Sequence, residues 1–445
     1  MKKITVFSMA MAMFLSSGHL QAQGEVDYPA SASTEVFDFT PWNEETILEL
    51  FVHAIQNGRN CPTAQEWEAA GFNLDLEFSR SHVRPRDIME DVSKNIVPEV
   101  FPTRRLWMNM PTGQGDLVGG YPSSLFNNDV FSMWNYVNLY GAWNHSPFQA
   151  PGSWADAAHK NGTDMFSGIK FFDTTGGRGQ TSEAYMELIS RKDGDNFRYV
   201  DAFLYALKFF GLDGINYNWE DVGYNDPTVV AFHQALYKRA AELGFDSFHI
   251  GLYGSPSSLS SSANYFATAE GRTTEVMMNY AANDIPSANS LRSSVRNAKA
   301  IQGGTAEGLY SGVWIASMDR NWTNFNANEE VKEVGICLWG EHKISRFFQF
   351  TIGDNLMELQ SNYQKLLEKG FSGGKRSPID RPALSNKGNI FEISNNDDKP
   401  NQMVNFAGFA DFVPERTAIQ GNLPFTTHFS LGNGERYNYK GKKTF

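Results

Sequence analysis

The chain has 445 residues, beyond the usual single-domain range but within reach of an α/β barrel with additions. A formal net charge of −12 with scattered Lys and Arg argues against a nucleic-acid partner, because phosphate binding needs clustered cations. Aromatic residues make up 14% of the chain, enough for a large core or for a cleft that stacks rings on a ligand.

In chain order, Met1 to Ala22 comes first: Lys2 and Lys3, an apolar run through Val6, Phe7, Met9 to Met13, Phe14 and Leu15, then a cleavage-like Leu20-Gln21-Ala22. This is the pattern of a secretory signal over residues 1–22, too short to stay as an anchor, and no later run reaches the length of a membrane span. The mature protein is therefore expected to be exported: secreted, periplasmic or held at the cell surface. Residues 23–100 form an N-terminal extension with no visible chemistry. Its first part, to about residue 40, is polar and flexible in composition, and Thr63-Ala64-Gln65-Glu66 reads as a helix start.

From Arg105 onward, short apolar runs alternate with helical segments. The runs are Leu106 to Met110, Met133 to Leu139, Met165 to Phe172, Gly214 to Asn218, Ser247 to Tyr253, Val276 to Tyr280, Gly312 to Ala316 and Gly335 to Trp339. They predict eight strands of a (β/α)8 TIM-type barrel over residues 101–440, closed by a short β-rich segment after Pro378 and followed by a tail at 441–445. Between the third and fourth runs, Val200, Phe203, Leu204, Leu207 and Phe210 have helical spacing and stop at Gly211.

The fourth run carries the most information: Asp213-Gly214-Ile215-Asn216-Tyr217-Asn218-Trp219-Glu220. Residues two apart on a strand share a face, so Gly214, Asn216, Asn218 and Glu220 project together while Ile215, Tyr217 and Trp219 pack on the other side. The strand thus offers a polar face with a single acid at its tip. Trp134, Trp143, Trp314, Trp322 and Trp339 lie in, at or just after predicted strands and are candidates to line a cleft. His159 reads as a structural hydrogen bonder, and Gly176-Gly177-Arg178-Gly179 as a loop that shapes a cleft. Cys61 and Cys337 can either pair in an oxidising compartment or stand as buried free thiols. The nine His are dispersed, with no metal-ligand spacing, so neither metal nor cofactor is expected.

Several segments resemble glycoside hydrolase family 85, the endo-β-N-acetylglucosaminidases. Trp154 to Gly162 is similar to the family's W-x-x-A-A-H-R-N-G helix, and Gly211 to Glu220 to its G-F-D-G-x-x-x-N-x-E strand. Gly251-Leu252-Tyr253 stands at the strand ending in an active-site Tyr, Met278-Asn279-Tyr280 at the N-Y strand, and Leu423 to Gly434 at L-P-F-x-T-x-F-N-x-G-x-G. Ala281 and Ala282 depart from the pattern where a tryptophan is expected. The resemblance implies hydrolysis of the β-1,4 bond in the N,N′-diacetylchitobiose core of N-glycans on glycoproteins. It implies catalytic roles for Glu220 as acid/base, Asn218 as the group that orients the substrate's acetamide, and Tyr253 as its support. Asn216, Trp143, Trp314, Trp339, Asn279 and Tyr280 are then expected to bind substrate. Two other readings stay open. A chitinase-like family 18 strand, D-G-x-D-x-D-x-E, fits Asp213 and Glu220 but meets Asn216 and Asn218 at both inner Asp positions; a noncatalytic glycan-binding barrel is the other.

Overall fold

A computed structural model describes residues 43–72, 76, 79–88, 103–110, 131–142, 146–148, 150, 152–171, 181–280, 285–314, 322–339, 368, 371–372, 409–416, 438–439 and 442–443. The signal-like residues 1–22, the Gly176 to Gly179 loop and the Leu423 to Gly434 motif lie outside them, as does most of the β-rich closing segment.

Eight parallel strands form a closed barrel in chain order: β1 (Leu106–Met110), β2 (Leu139–Ala142), β3 (Asp164–Lys170), β4 (Gly214–Asn218), β5 (His249–Tyr253), β6 (Glu275–Met278), β7 (Leu309–Trp314) and β8 (Gly335–Trp339). β8 pairs back with β1. Helices α1 (Glu44–Gln56) and α2 (Ala64–Ala69) precede the barrel. α3 (Gly152–Lys160) follows β2, α4 (Ser182–Ser190) and α5 (Val200–Phe210) follow β3, α6 (Pro227–Glu242) follows β4 and α7 (Ala288–Gln302) follows β6. The architecture is the (β/α)8 barrel expected from the eight runs. Two runs were displaced: the seventh strand begins earlier, at Leu309, and in the second run Trp134–Tyr136 is a 3-10 turn, so that strand begins only at Leu139. The cause is pairing, since Leu139 must stand opposite Trp107 on β1, while Trp134 packs on Phe131, Tyr140 and Trp154 outside the barrel.

The barrel wall separates two apolar cores. Ile215, Tyr217 and Trp219 face the outer one, shared with the helices. Trp107, Leu139, Phe166, Tyr253, Met277, Tyr310 and Cys337 fill the lumen. Trp107 occupies its centre because the facing positions are glycines: a Cβ on Gly251 would lie 2.7 Å from the indole. Cys337 is a buried free thiol in this layer, whereas Cys61, also free, is exposed on the turn before α2.

The extension is knit onto the wall. Asn43 caps α1 by accepting from Thr46 N at 3.0 Å, and Thr63 with Glu66 forms the expected capping box of α2. α1 buries Ile47, Leu48, Phe51 and Val52, each contributing roughly 1.5–3 kcal/mol of transfer free energy. Phe51 and Trp67 pack on Phe209 of α5. The strip at residues 79–88 then runs against α3 and α5, where Ser81 N donates to Phe210 O at 2.9 Å. Gly211, at φ 70°, caps α5 in the left-handed conformation, and a Cβ there would meet Ser81 O at 2.4 Å.

At the N-terminal mouth, His249 lies between two carboxylates, with Nε2 at 2.9 Å from Asp164 and Nδ1 bonded to Glu275, which also accepts from the Tyr310 hydroxyl at 3.0 Å. Burial disfavours the imidazolium, but Glu275 and Asp164 outweigh it and push the ring's pKa up to about 9, from 6.5. A raised folded-state value means that the stabilisation is complete below pH 6.5 and is lost as the pH rises through about 9. Urea unfolding is therefore expected to show stability falling between pH 7 and 10 in the wild type and a shallower fall in His249→Gln. Equal slopes in the two proteins would refute the charged His249.

Residues 409–416 pack beside the same mouth. Arg104, 1% exposed, gives its guanidinium to the carbonyl oxygens of Phe325, Phe412, Val331 and Lys332 and to Asn326 Oδ1 at 2.8 Å. No carboxylate takes part in these bonds, and burial lowers the Arg104 pKa to about 9. Phe409 and Phe412 pack on Trp322 next to it.

Candidate active site

In parallel barrels the loops after the strands build the reactive face. Several of the predicted positions stand at that end of the barrel. Asn218 ends β4 and stands in register with Tyr253 at the end of β5; Trp314 ends β7 in register with Trp339 at the end of β8; Asn279 and Tyr280 follow β6 directly. The side chains of Trp314 and Trp339, and all of Trp143, lie outside the described residues. Trp134 and Trp322 belong to the outer core, not to the lumen.

Asn218 is fully buried, and among the described residues neither its Nδ2 nor its Oδ1 has a partner. An unpaired buried carboxamide costs about 1–3 kcal/mol per group, so its retention points to a ligand that completes it. Asn216, two residues earlier on the same face, donates through Nδ2 to Asn109 Oδ1 at 2.8 Å, and its own Oδ1 is also unpaired. Tyr253 is 7% exposed and packs with the lumen rings, with the half-buried Tyr280 against the same cluster. Asn279 donates its backbone N–H to Pro256 O at 2.8 Å, and its Oδ1 is buried without a partner. Just beyond Tyr253, Ser255 adopts φ 68°, a left-handed conformation that favours glycine; such strain clusters at functional loops.

Glu220 is exposed on the turn after β4, between two anchored neighbours. Trp219 N extends the strand pairing by donating to Tyr253 O at 2.8 Å. The Trp219 indole packs on Phe171 at 4.8 Å and donates to Asp221 Oδ1 at 2.8 Å. Asp221 also accepts from Gly223 N and from the Ser182 hydroxyl. Trp219 thus faces the outer core, as the alternation along the strand predicts. Strand alternation puts residue 219 on the opposite face from 218 and 220, so the indole serves as the anchor of the turn.

The base of the same strand is held by Asp213. Its Oδ2 accepts from Met165 N at 2.7 Å and lies 2.6 Å from His159 Nε2, and its Oδ1 accepts from Ser247 Oγ at 2.8 Å. His159 Nδ1 donates to Val83 O at 2.5 Å, since a carbonyl can only accept, and Nε2 faces the Asp213 carboxylate, an arrangement that favours the charged ring. Burial opposes that charge, but the Asp213 carboxylate outweighs it and the His159 pKa is raised. His159 is therefore structural, as its sequence context indicated.

The floor residues Trp107, Asn109 and Gly141 were not foreseen as site residues. The one available signal was a lone Asn in the apolar run Leu106 to Met110. Among the described residues, no group of three or more His, Cys, Asp or Glu is placed to hold a metal ion, and no helix is long and apolar enough to cross a membrane.

Among solved structures, the glycoside hydrolase domain of Endo-D from Streptococcus pneumoniae R6 is similar at 15% identity with a TM-score of 0.56, over 78% of this chain and 52% of that one. The chain spans about half the length of that structure, and the likeness speaks for the fold alone. A GH18 chitinase from Pseudoalteromonas aurantia is 16% identical with a TM-score of 0.36, covering 59% of this chain and 99% of that one. A family 18 chitinase from Crocus vernus is 12% identical with a TM-score of 0.31, covering 54% and 94%. These two overlaps are too loose to carry weight. No curated protein sequence matches the chain. The family model described as Glycosyl hydrolase family 85 matches residues 121–437, well over half of the sequence, and the protein belongs to that family.

Proposed function

We propose that this protein is an exported endo-β-N-acetylglucosaminidase that cleaves the β-1,4 bond of the N,N′-diacetylchitobiose core of N-glycans. The observation that carries the reading is the Asn218 carboxamide, buried at the end of β4 with both polar atoms unpaired, two residues before Glu220 in a family 85 chain. Most glycosidases flank the scissile bond with two carboxylates, and substrate-assisted enzymes are the exception. The lumen positions around Asn218, namely Asn109, Asn216, Gly251 and Tyr253, hold no carboxylate. The nucleophile is then the 2-acetamido oxygen of the substrate, which attacks the anomeric carbon as the bond to the leaving oxygen breaks. Asn218 offers one acceptor and one donor, so its Oδ1 can take the acetamide N–H as positive charge develops on that nitrogen in the oxazoline. Tyr253, its register neighbour, supports the acetamide. Glu220 gives its proton to the departing sugar oxygen, then as carboxylate takes one from the water that opens the oxazoline. Two displacements at one carbon retain its configuration.

Export rests on the signal-like residues 1–22 and is checked by the N-terminus of the protein recovered outside the cytoplasm. For the bond cut, mass spectrometry of a treated N-glycopeptide is expected to show one N-acetylglucosamine left on asparagine. Bare peptide or an intact core would refute the assignment, and binding of the glycan without cleavage would favour a noncatalytic barrel.

A further inference from the structure

The lumen floor beneath Asn218 contains a hydrogen bond whose span is unusual. Asn109 on β1 and Asn216 on β4 are joined at 2.8 Å although β2 and β3 lie between their strands in the barrel wall. The bond crosses the lumen over glycine. Gly141 stands opposite Asn109 in register and Gly168 opposite Asn216. A Cβ on Gly141 would lie 2.7 Å from Asn216 Nδ2 and 2.9 Å from Asn109 Oδ1, in the middle of the contact, and 2.8 Å from the unpaired Trp107 Nε1. With Nδ2 committed to Asn109, the Asn216 amide is fixed, and its Oδ1 remains a buried acceptor on the same strand face as the unpaired Asn218. Asn109 precedes the residues matched by the family model and has no role in the mechanism above.

We propose that Asn109 is a positioning residue of the sugar site: through Gly141 it clamps the Asn216 carboxamide and so holds a neutral floor of one fixed acceptor and one donor, Trp107 Nε1, beneath Asn218. A floor of this kind suits a neutral sugar carrying amide and hydroxyl groups and holds its reacting end still. The inference rests on the proposed function and deepens it.

Two variants break the clamp by different routes. Asn109→Leu removes the acceptor, and Gly141→Ala inserts a carbon between two unchanged carboxamides. Each is expected to lower kcat on an N-glycopeptide about 10- to 100-fold, the scale set by small misplacements of reacting groups, with KM changed far less. The double variant is expected to be no slower than the slower single, because both remove one bond. Asn109→Asp keeps an acceptor oxygen in place and is expected to recover most of the loss. Wild-type kcat in a folded Asn109→Leu or Gly141→Ala overturns the proposal. Should neither fold, the aspartate variant decides: folded with near wild-type kcat supports the clamp, folded and as slow as expected for a broken clamp overturns it. If the wild type leaves the chitobiose bond uncut, the functional reading fails separately, and the variants are read by calorimetric binding of N,N′-diacetylchitobiose. Affinity lost in Asn109→Leu and Gly141→Ala but kept in Asn109→Asp then supports the clamp; unchanged affinity, or no binding by the wild type, overturns it.

Discussion

Replacing Glu220 by Gln is expected to lower hydrolysis of an N-glycopeptide by about two to four orders of magnitude, the usual worth of general acid/base catalysis. The substitution keeps the shape of the side chain and removes its proton transfer, so KM is expected to stay close to the wild-type value. Folding is expected to be unaffected, because Glu220 is exposed and the turn is anchored by its neighbours Trp219 and Asp221. A substrate with a highly acidic leaving group needs less protonation and is expected to recover part of the first step. Hydrolysis by Glu220→Gln at near the wild-type rate would remove Glu220 from the mechanism and direct attention to another carboxylate on the reactive face.

The second large effect separates orientation from proton transfer. Asn218→Ala deletes the unpaired buried carboxamide, and hydrolysis is expected to fall by about two to three orders of magnitude, as for loss of one preorganised polar group. Stability is expected to hold or rise slightly, since an unsatisfied polar group leaves the interior. Supplied with a preformed sugar oxazoline and an N-acetylglucosamine acceptor, the same variant is expected to transfer the sugar, because the step that requires Asn218 is already complete and Glu220 still activates the acceptor. Glu220→Gln is expected to use the oxazoline poorly. Rapid hydrolysis by Asn218→Ala would mean that the acetamide is not the nucleophile organised by this strand.

Much of this architecture was legible because it is governed by short-range rules. Alternation along Gly214 to Trp219 assigns Asn216 and Asn218 to one face and Ile215, Tyr217 and Trp219 to the other, and the two cores of the barrel observe that division. Helical spacing with a terminal glycine located α5, and a capping box located α2. The run Met133 to Leu139 was misread because its apolar residues satisfy a turn packed on Trp154 as well as they satisfy a strand; pairing of Leu139 with Trp107 made the choice.

The sequence by itself determined the barrel, the polar face of β4 and the chemistry offered at its tip, since all three depend on local periodicity and on the identity of a few side chains. Only the tertiary structure decided that Trp134 and Trp322 are core, that the Trp219 indole anchors the turn by donating to Asp221, and that Asn109 reaches Asn216 across the lumen over Gly141. It also decided that His159 is held between Val83 and Asp213, and His249 between Asp164 and Glu275. These contacts join residues far apart in the chain, and whether they meet depends on strand register and barrel closure, which no single segment encodes.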